Sequence, residues 1–344
     1  MALNTYGDMK WYDVRDSGVE GQGWTETLRD FDRLPEKAQA TVPEDVWNLS
    51  RHSAGMSARF VTDADSISVR YSLLSAGLAM PHMPATGVSG LDLYGEDAEG
   101  IERWVSVVQP IHQTMQVVVA EKLRPGRRRY TLYLPLYNGV ESLEIGVDAG
   151  VAFEPVGPRN ERPVLFYGTS IAQGACASRP GMAFPSILGR RLNRPIINLG
   201  FSGVGRMDPE VGALLAELNP CVFAIDCLPN MSDSMVADRT VPLVTQLRTA
   251  HPDTPILLVE DRTFTNAPFF PRLLSEHQDR RAALKRTYGE LVDAGVEQLY
   301  YLEGDDLLGH DGEGATDGSH PNDLGMFRYA DAYEPVLRRI LDRG

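Results

Sequence analysis

Cysteine is scarce in this sequence: the 344 residues include three, at Cys176, Cys221 and Cys227. They form neither a C-x-x-C pair nor a metal-ligand spacing, and an odd number argues against a framework of disulfides. Cys221 and Cys227 lie in an apolar run, where a thiol behaves as a small hydrophobic side chain. We therefore expect reduced cysteines, a cytoplasmic protein and no bound metal.

Long apolar runs are also missing. No stretch approaches the roughly 18 consecutive apolar residues that a transmembrane helix needs. Residues 1–8 lack a basic patch followed by an apolar stretch, so no secretory signal is expected. Both absences agree with a cytoplasmic location.

Positive charge is in deficit, with 33 Lys and Arg residues against 47 Asp and Glu residues and a net charge of −14. Such a surface repels the phosphate backbones of nucleic acids and anionic lipid headgroups. The basic cluster at 127–129 is short and is typical of a solvated turn. We therefore expect neither a nucleic acid nor a membrane as a partner.

The chain is long enough for two domains, and its front half is β-rich. Residues 67–73 alternate apolar and polar side chains, as a strand with one buried face does. Similar short runs follow at 90–94, 104–108, 115–119, 130–134 and 142–147. Many short strands without helical patterns between them predict an all-β sandwich or jelly roll. A segment rich in proline and glycine at 155–163 predicts domains over 1–157 and 158–344.

The back half alternates short apolar runs with helical patterns. The apolar runs lie at 164–167, 196–199, 221–227, 256–259 and 296–301, and the helical patterns at 209–218, 276–294 and 322–341. This alternation predicts a parallel sheet covered by helices on both faces, with ligands at the carboxyl ends of its strands. Asp226 ends the third apolar run, and we expect its carboxylate to accept hydrogen bonds from backbone donors.

Ser170 lies in the segment Gly168-Thr169-Ser170, directly after the first apolar run. A serine on such a strand-to-helix turn exposes its hydroxyl, and its own N–H lies at a helix N-terminus that favours developing negative charge. Ala172 replaces the second glycine of a G-x-S-x-G elbow, and the lysine of a phosphate-binding loop is absent. Ser170 is therefore a candidate nucleophile, and no cofactor is expected.

Asp317 and His320 lie in one segment, Asp317-Gly318-Ser319-His320, just before the final helical pattern. A hydroxyl nucleophile needs a base that takes its proton as the bond forms, and imidazole titrates close to neutral pH. A carboxylate bound to the second ring nitrogen holds the imidazole in the correct tautomer. His320 is the candidate base, and Asp317 is the candidate group that orients it.

Two other strand ends carry groups that could stabilise an oxyanion. Gly203 lies in the turn after 196–199, where a missing side chain lets a backbone N–H come close. Asn230 follows 221–227 and offers a side-chain amide. One such donor is worth roughly 3–4 kcal/mol of barrier. Together with the N–H of Ser170, these residues give three candidate donors.

These segments, in this order, resemble the sequence blocks of the SGNH/GDSL hydrolase family. The matching residues are Ser170 in the first block, Gly203 in the second, Asn230 in the third, and Asp317 with His320 in the last. Thr169 and Val204 depart from the pattern, because Asp usually precedes the serine and Asn or Asp often follows the glycine. The segment Gly90-Leu91-Asp92-Leu93-Tyr94 resembles the G-x-D-L-Y signature of a β-sandwich found ahead of one SGNH branch.

The resemblance implies a flavodoxin-like three-layer parallel sheet, preceded by a jelly roll similar to carbohydrate-binding modules. It also implies a serine esterase that acts on an ester, with a small acyl group on a carbohydrate or glycoside as the first expectation. One alternative is an O-acyltransferase that moves an activated acyl group to a sugar or natural-product hydroxyl. Another is a non-catalytic glycan-binding protein, in which tryptophans such as Trp104 stack on sugar rings.

Overall fold

The computed structural model describes residues 8–342. The expectation that residues 1–8 carry no secretory signal therefore falls almost entirely outside the described residues. The front half holds antiparallel strands, numbered here in chain order. They are β1 (Met9–Asp13), β2 (Ser57–Thr62), β3 (Ile67–Leu73), β4 (Asp92–Glu96), β5 (Glu102–Val107), β6 (Thr114–Ala120), β7 (Arg128–Tyr133), β8 (Val140–Asp148) and β9 (Phe153–Val156). Two short helices accompany them, α1 (Glu44–Ser50) and α2 (Ala85–Val88).

These strands form two sheets, in the orders β1-β8-β3-β6 and β5-β4-β7-β2-β9. Alternate residues of β3, such as Val69 and Tyr71, are buried and pack in one apolar core with Phe60 of β2 and Leu132 of β7. Burial of one face of each sheet against the other accounts for the alternating pattern of the sequence. The predicted β-sandwich is confirmed.

The sequence patterns did not indicate β1, β2 or β9. Strands β1 and β9 lie at sheet edges, where fewer side chains are buried and the apolar alternation is weak. Strand β9 includes Pro155, which pairs with Phe60 and belongs to the segment interpreted as a linker. Proline fits there because the edge of a sheet leaves one side of the backbone unpaired.

The back half contains the predicted parallel sheet. Its strands are β10 (Val164–Gly168), β11 (Ile196–Gly200), β12 (Val222–Asp226), β13 (Ile256–Val259) and β14 (Leu299–Leu302), in the order β11-β10-β12-β13-β14. Its helices are α3 (Ser170–Gln173), α4 (Phe184–Leu192), α5 (Pro209–Leu215), α6 (Asp233–Ala250), α7 (Pro271–Asp293) and α8 (Asp323–Leu341). Separate apolar cores lie on the two faces of the sheet, and one of them includes Tyr329 and Tyr333 of α8. The three-layer, flavodoxin-like arrangement is confirmed.

The strand register brings three chain segments together at the carboxyl edge of this sheet. Gly168 at the end of β10 is aligned with Gly200 at the end of β11 and with Asp226 at the end of β12. The loops that leave these strands therefore begin side by side. Among residues 8–342, no helix is both long and apolar enough to cross a membrane.

Candidate active site

Ser170 is the first residue of helix α3, immediately after strand β10. The hydroxyl of Thr169 accepts a hydrogen bond from the Ile171 N–H at 3.3 Å and so caps the helix. An aspartate can cap a helix in the same way, which explains why threonine is compatible with a position where aspartate is usual. The side chain of Ser170 is largely buried, with 5% of the residue exposed.

His320 connects Ser170 to Asp317 through its two ring nitrogens. Its Nε2 lies 2.9 Å from the Ser170 Oγ, and its Nδ1 lies 2.7 Å from the Asp317 Oδ2. The Asp317 Oδ1 accepts the backbone N–H groups of Ser319 at 3.0 Å and His320 at 2.8 Å. The loop before α8 therefore delivers the imidazole to the hydroxyl at the end of the first parallel strand.

The carboxyl group of Asp317 is held in its ionised form. Partial burial acts to raise its pKa, but hydrogen bonds from the His320 backbone and ring and from the Ser319 N–H outweigh burial and lower the pKa to about 2. An ionised carboxylate can only accept a hydrogen bond, so Nδ1 of His320 carries the proton. Nε2 is then free to accept the hydroxyl proton of Ser170.

Arg262 positions the loop that carries Asp317 and His320. This buried side chain follows strand β13, is paired with the Asp261 carboxylate, and donates hydrogen bonds to the backbone oxygen and the hydroxyl of Ser319. The N–H of Thr265 donates to the Gly318 carbonyl at 2.9 Å, which adds a second attachment. Sequence reasoning missed Arg262 because its position in the chain gives no sign of this contact.

Gly203 and Asn230 lie on the loops that follow β11 and β12, beside the loop of Ser170. Gly203 is exposed and has a φ of +75°, a left-handed conformation that favours glycine. The side-chain Oδ1 of Asn230 is buried and has no hydrogen-bond partner among the described residues. Among residues 8–342, no hydrogen bond joins Gly203 or Asn230 to Ser170. Val204, next to Gly203, packs its partly buried side chain against an apolar core.

The front half also contributes directly to the site. The hydroxyl of Tyr137 donates a hydrogen bond to the backbone oxygen of Ser170 at 3.1 Å. Arg33 donates to the carbonyls of Asn198 at 3.1 Å and Gly200 at 2.6 Å, and burial lowers its pKa to about 9. Neither residue belongs to a recognisable motif, so these contacts could not be predicted from the sequence.

Cys176 and His82 lie close to the imidazole of His320. The ring centroids of His82 and His320 are 5.5 Å apart, and Cys176 is 5% exposed. Burial raises the pKa of the Cys176 thiol to about 12, and the negative charge of Asp317 acts in the same direction. The thiol is therefore protonated at neutral pH and is not an alternative nucleophile.

Asp226 differs from the expectation that backbone groups satisfy its carboxylate. Its Oδ2 accepts the Tyr333 hydroxyl at 2.7 Å, and its Oδ1 has no partner among residues 8–342. Burial raises its pKa to about 7, although the hydrogen bond from Tyr333 acts in the opposite direction. The helix α8 supplies the donor instead of the local backbone, and this contact spans 107 positions of the chain.

Hydrogen bonds connect a serine, an imidazole and a carboxylate in one line at the carboxyl edge of the parallel sheet. This arrangement is typical of serine hydrolases. Comparisons with known proteins agree with this class. Residues 161–338 match the model of the GDSL-like lipase/acylhydrolase family, and residues 9–153 match the model of the N-terminus of SGNH-hydrolase-type esterases. The chain belongs to the GDSL-like lipase/acylhydrolase family and is a carboxylic ester hydrolase of the SGNH type.

Solved structures resemble the chain over nearly its whole length. A GDSL-like lipase from Bacteroides ovatus is 33% identical, with 97% of this chain and 98% of that chain covered and a TM-score of 0.93. A salicylyl-acyltransferase from a tetracycline biosynthetic pathway is 19% identical, with 96% and 97% covered and a TM-score of 0.74. A family two carbohydrate esterase from Cellvibrio japonicus is 13% identical, with 97% and 98% covered and a TM-score of 0.64. No curated protein sequence matches the chain.

Proposed function

We propose that the protein is a serine esterase in which Ser170 is the nucleophile, His320 the general base and Asp317 the residue that orients the base. One observation carries this proposal: the imidazole of His320 lies within hydrogen-bond distance of both the Ser170 hydroxyl and the Asp317 carboxylate. A base at this distance is what activates a hydroxyl that is a weak nucleophile by itself.

In the first step, the Ser170 Oγ attacks the ester carbonyl while its proton moves to Nε2 of His320. The Asp317 carboxylate stabilises the imidazolium that forms, and it stays ionised because its pKa is about 2. His320 then gives the proton to the departing alkoxide. The products of this step are a free alcohol and an acyl group on Ser170.

The tetrahedral oxyanion of this step requires donors. The N–H groups of Ser170 and Gly203 and the side-chain amide of Asn230 are the proposed donors. Their placement supports this role, since the three loops begin side by side at Gly168, Gly200 and Asp226.

In the second step, an acceptor hydroxyl attacks the acyl group, and His320 again removes the proton. Water as acceptor gives hydrolysis, and a bound alcohol gives acyl transfer with the same residues. We propose hydrolysis as the main reaction. The similarity in fold to a salicylyl-acyltransferase keeps O-acyl transfer, from an activated donor to a sugar or natural-product hydroxyl, as the second candidate.

For the substrate, we propose a small acyl group carried on a carbohydrate or glycoside. The similarity in fold to a family two carbohydrate esterase supports this class. A cavity of about 1020 Å³ between the two halves is lined by Trp104 and arginines such as Arg103 and Arg179, but not by Ser170, Asp317 or His320, so it supports sugar binding at a place apart from the reacting groups. The Trp104 residue is 51% exposed, and an exposed aromatic ring can stack on a sugar.

A fluorophosphonate probe tests the nucleophile directly. We expect the probe to modify Ser170 in the intact protein, and we expect Ser170→Ala to abolish labelling. Ser202→Ala is the matched control because Ser202 lies on the neighbouring loop without a hydrogen bond to His320. A protein that stays unlabelled would contradict Ser170 as the nucleophile.

Product analysis tests the reaction. The protein is supplied with p-nitrophenyl acetate in water, with and without an added sugar alcohol, and acetate and acetylated alcohol are quantified. We expect acetate to dominate in both mixtures. Predominant acetylation of the alcohol would identify an acyltransferase instead. A panel of acetylated sugars and longer-chain p-nitrophenyl esters then measures kcat/KM for each substrate class, and a preference for long acyl chains would contradict the proposed substrate.

A further inference from the structure

Three side chains from separate parts of the chain meet beside the proposed nucleophile. They are His82 in the segment between β3 and α2, Cys176 after α3, and His320 before α8. One ring nitrogen from each histidine and the sulfur of Cys176 all lie within 4.8 Å of one another. The roles proposed for Ser170, His320 and Asp317 require neither His82 nor the Cys176 thiol.

The chemistry of this cluster fits zinc better than it fits a hard cation. Two imidazole nitrogens and one thiolate are ligands that zinc prefers, whereas calcium and magnesium require oxygen ligands. Bonds of about 2.0–2.1 Å to nitrogen and about 2.3 Å to sulfur place ligand atoms roughly 3.3–3.7 Å apart in a tetrahedral site. The longest separations in the cluster, up to 4.8 Å, therefore have to shorten by about 1–1.5 Å when zinc binds to all three ligands.

Hydrogen bonds hold two of the three ligands, Cys176 and His320, in position. The N–H of Cys176 donates to the Pro321 carbonyl at 2.7 Å, so the backbone of Cys176 is attached to the residue that follows His320. The Asp317 Oδ2 holds Nδ1 of His320 at 2.7 Å, which leaves the lone pair on Nε2. A carboxylate behind a histidine in this way orients the ring of many zinc ligands and raises its basicity.

We propose that His82, Cys176 and His320 form an inhibitory zinc site. Zinc binds to a nitrogen of His82, to the sulfur of Cys176 and to Nε2 of His320, and the thiol releases its proton to solvent as the zinc–sulfur bond forms. The fourth position holds water or the Ser170 hydroxyl. Because Nε2 then bonds to the metal, it no longer accepts the Ser170 proton, and the esterase is inactive until the metal leaves.

Binding of the metal follows from the cluster alone, while its inhibitory effect rests on the function proposed above. The two parts are therefore tested separately. Binding is measured by calorimetric titration of zinc chloride into the metal-free, untagged full chain. Cobalt(II) chloride serves as a spectroscopic probe, because a tetrahedral cobalt–thiolate site gives intense visible bands and a sulfur-to-metal charge-transfer band. We expect one ion per chain and the charge-transfer band.

Variants of each ligand locate the site. His82→Gln and Cys176→Ser should each weaken zinc binding by at least about tenfold, and Cys176→Ser should also remove the charge-transfer band. His310→Gln is the matched control, since His310 is an exposed histidine paired with Asp306 outside the cluster, and it should bind zinc as the wild type does. Unchanged zinc affinity in both ligand variants, or a cobalt spectrum without the band, overturns the proposal.

The inhibition is then measured on p-nitrophenyl acetate, with each variant compared to its own activity in the presence of a chelator. We expect zinc to inhibit the wild type and the chelator to restore activity, and we expect both ligand variants to resist zinc. Ser170→Ala separates the two proposals, because it retains all three ligands and should bind zinc without any esterase activity. Zinc binding at the cluster without inhibition of an active enzyme would overturn the inhibitory role.

Discussion

The carboxylate of Asp92, on strand β4 of the sandwich, accepts a hydrogen bond at 2.9 Å from the guanidinium of Arg179, on the loop that follows Ser170. The same carboxylate accepts the Gly181 N–H at 2.8 Å and the Trp104 indole N–H at 3.0 Å. The Tyr94 hydroxyl completes the contact by accepting a hydrogen bond from Arg179 at 2.6 Å. Two residues of the G-x-D-L-Y segment thus join the front half to the loop beside the candidate site.

Asp92→Asn should destabilise the protein. Asp92 is fully buried, and loss of its charge leaves the Arg179 guanidinium without its anionic partner. We expect the free energy of unfolding to fall by about 2–4 kcal/mol. Urea unfolding followed by circular dichroism measures this change. Asp65→Asn, at an exposed position of the same half, is the control and should change the stability by less than about 0.5 kcal/mol. Equal effects of the two substitutions would contradict the role assigned to Asp92.

Asp317→Asn should lower kcat for p-nitrophenyl acetate by about 10³–10⁴-fold with little change in KM, because an amide holds the wrong tautomer of the imidazole. The pKa of Asp317 is about 2, so its carboxylate does not titrate between pH 5 and pH 8. The loss should therefore be present at every pH in this range. A loss below about tenfold, in a variant that folds normally, would count against Asp317 as the orienting group.

Gly203→Ala and Gly200→Ala should have different consequences. An added Cβ at Gly203 meets no heavy atom within 4 Å, so the cost is the left-handed backbone strain of about 1–2 kcal/mol. The protein should fold, while kcat falls at least about tenfold because a proposed oxyanion donor is displaced. At Gly200 the Cβ would lie 2.1 Å from the Gln173 nitrogen, so that variant should unfold. Thermal unfolding and steady-state kinetics distinguish the two effects, and a fully active Gly203→Ala would contradict the donor assignment.

Asp226→Asn should change how stability depends on pH. The pKa of Asp226 is about 7 in the folded protein, against an ordinary value of 3.8. A raised pKa means that the protonated carboxyl favours folding, a contribution fully present below about pH 4 and lost as the pH rises through 7. Between pH 5 and pH 8 the wild type should lose about 2–3 kcal/mol relative to Asp226→Asn.

Urea unfolding at four pH values across this range tests that expectation. Asp238→Asn provides the comparison, because Asp238 is exposed on helix α6. The difference in stability between wild type and Asp238→Asn should stay flat with pH. A flat difference for Asp226→Asn as well would show that the carboxyl of Asp226 does not titrate in this window.

The parallel sheet could be predicted because each of its strands is marked by a short pattern of neighbouring residues in the sequence. A short apolar run marks a strand buried on both faces, and the predicted run at 256–259 coincides with β13. The final helical pattern, expected to begin at Asn322 or Asp323, is α8, which begins at Asp323 and is capped by Asn322 through the Gly325 N–H. Helix α6 was missed, and it contains Pro242, a residue that favours an interruption of the helical pattern.

The residues of the candidate site also fall into two groups, those that could be predicted from the sequence and those that could not. Ser170, Asp317 and His320 could be predicted because each lies in a short segment with a recognisable order of residues. Arg33, Tyr137 and Arg262 could not, because their contacts with the site depend on how distant segments pack. The Asp226 carboxylate shows the same limit, since its partner Tyr333 lies on a helix at the other end of the half-chain.

The hydrogen bonds of Tyr137 and Arg33 bear on how such enzymes can diversify. A hydroxyl from the sandwich supports the carbonyl of Ser170, and a guanidinium from the front half supports the carbonyls that precede Gly203. Both halves therefore hold the candidate site in place, and an exchange of front halves between distant relatives would disturb the backbone around Ser170. Inheritance of the two halves as one unit, and not as interchangeable modules, is the expected pattern among homologues.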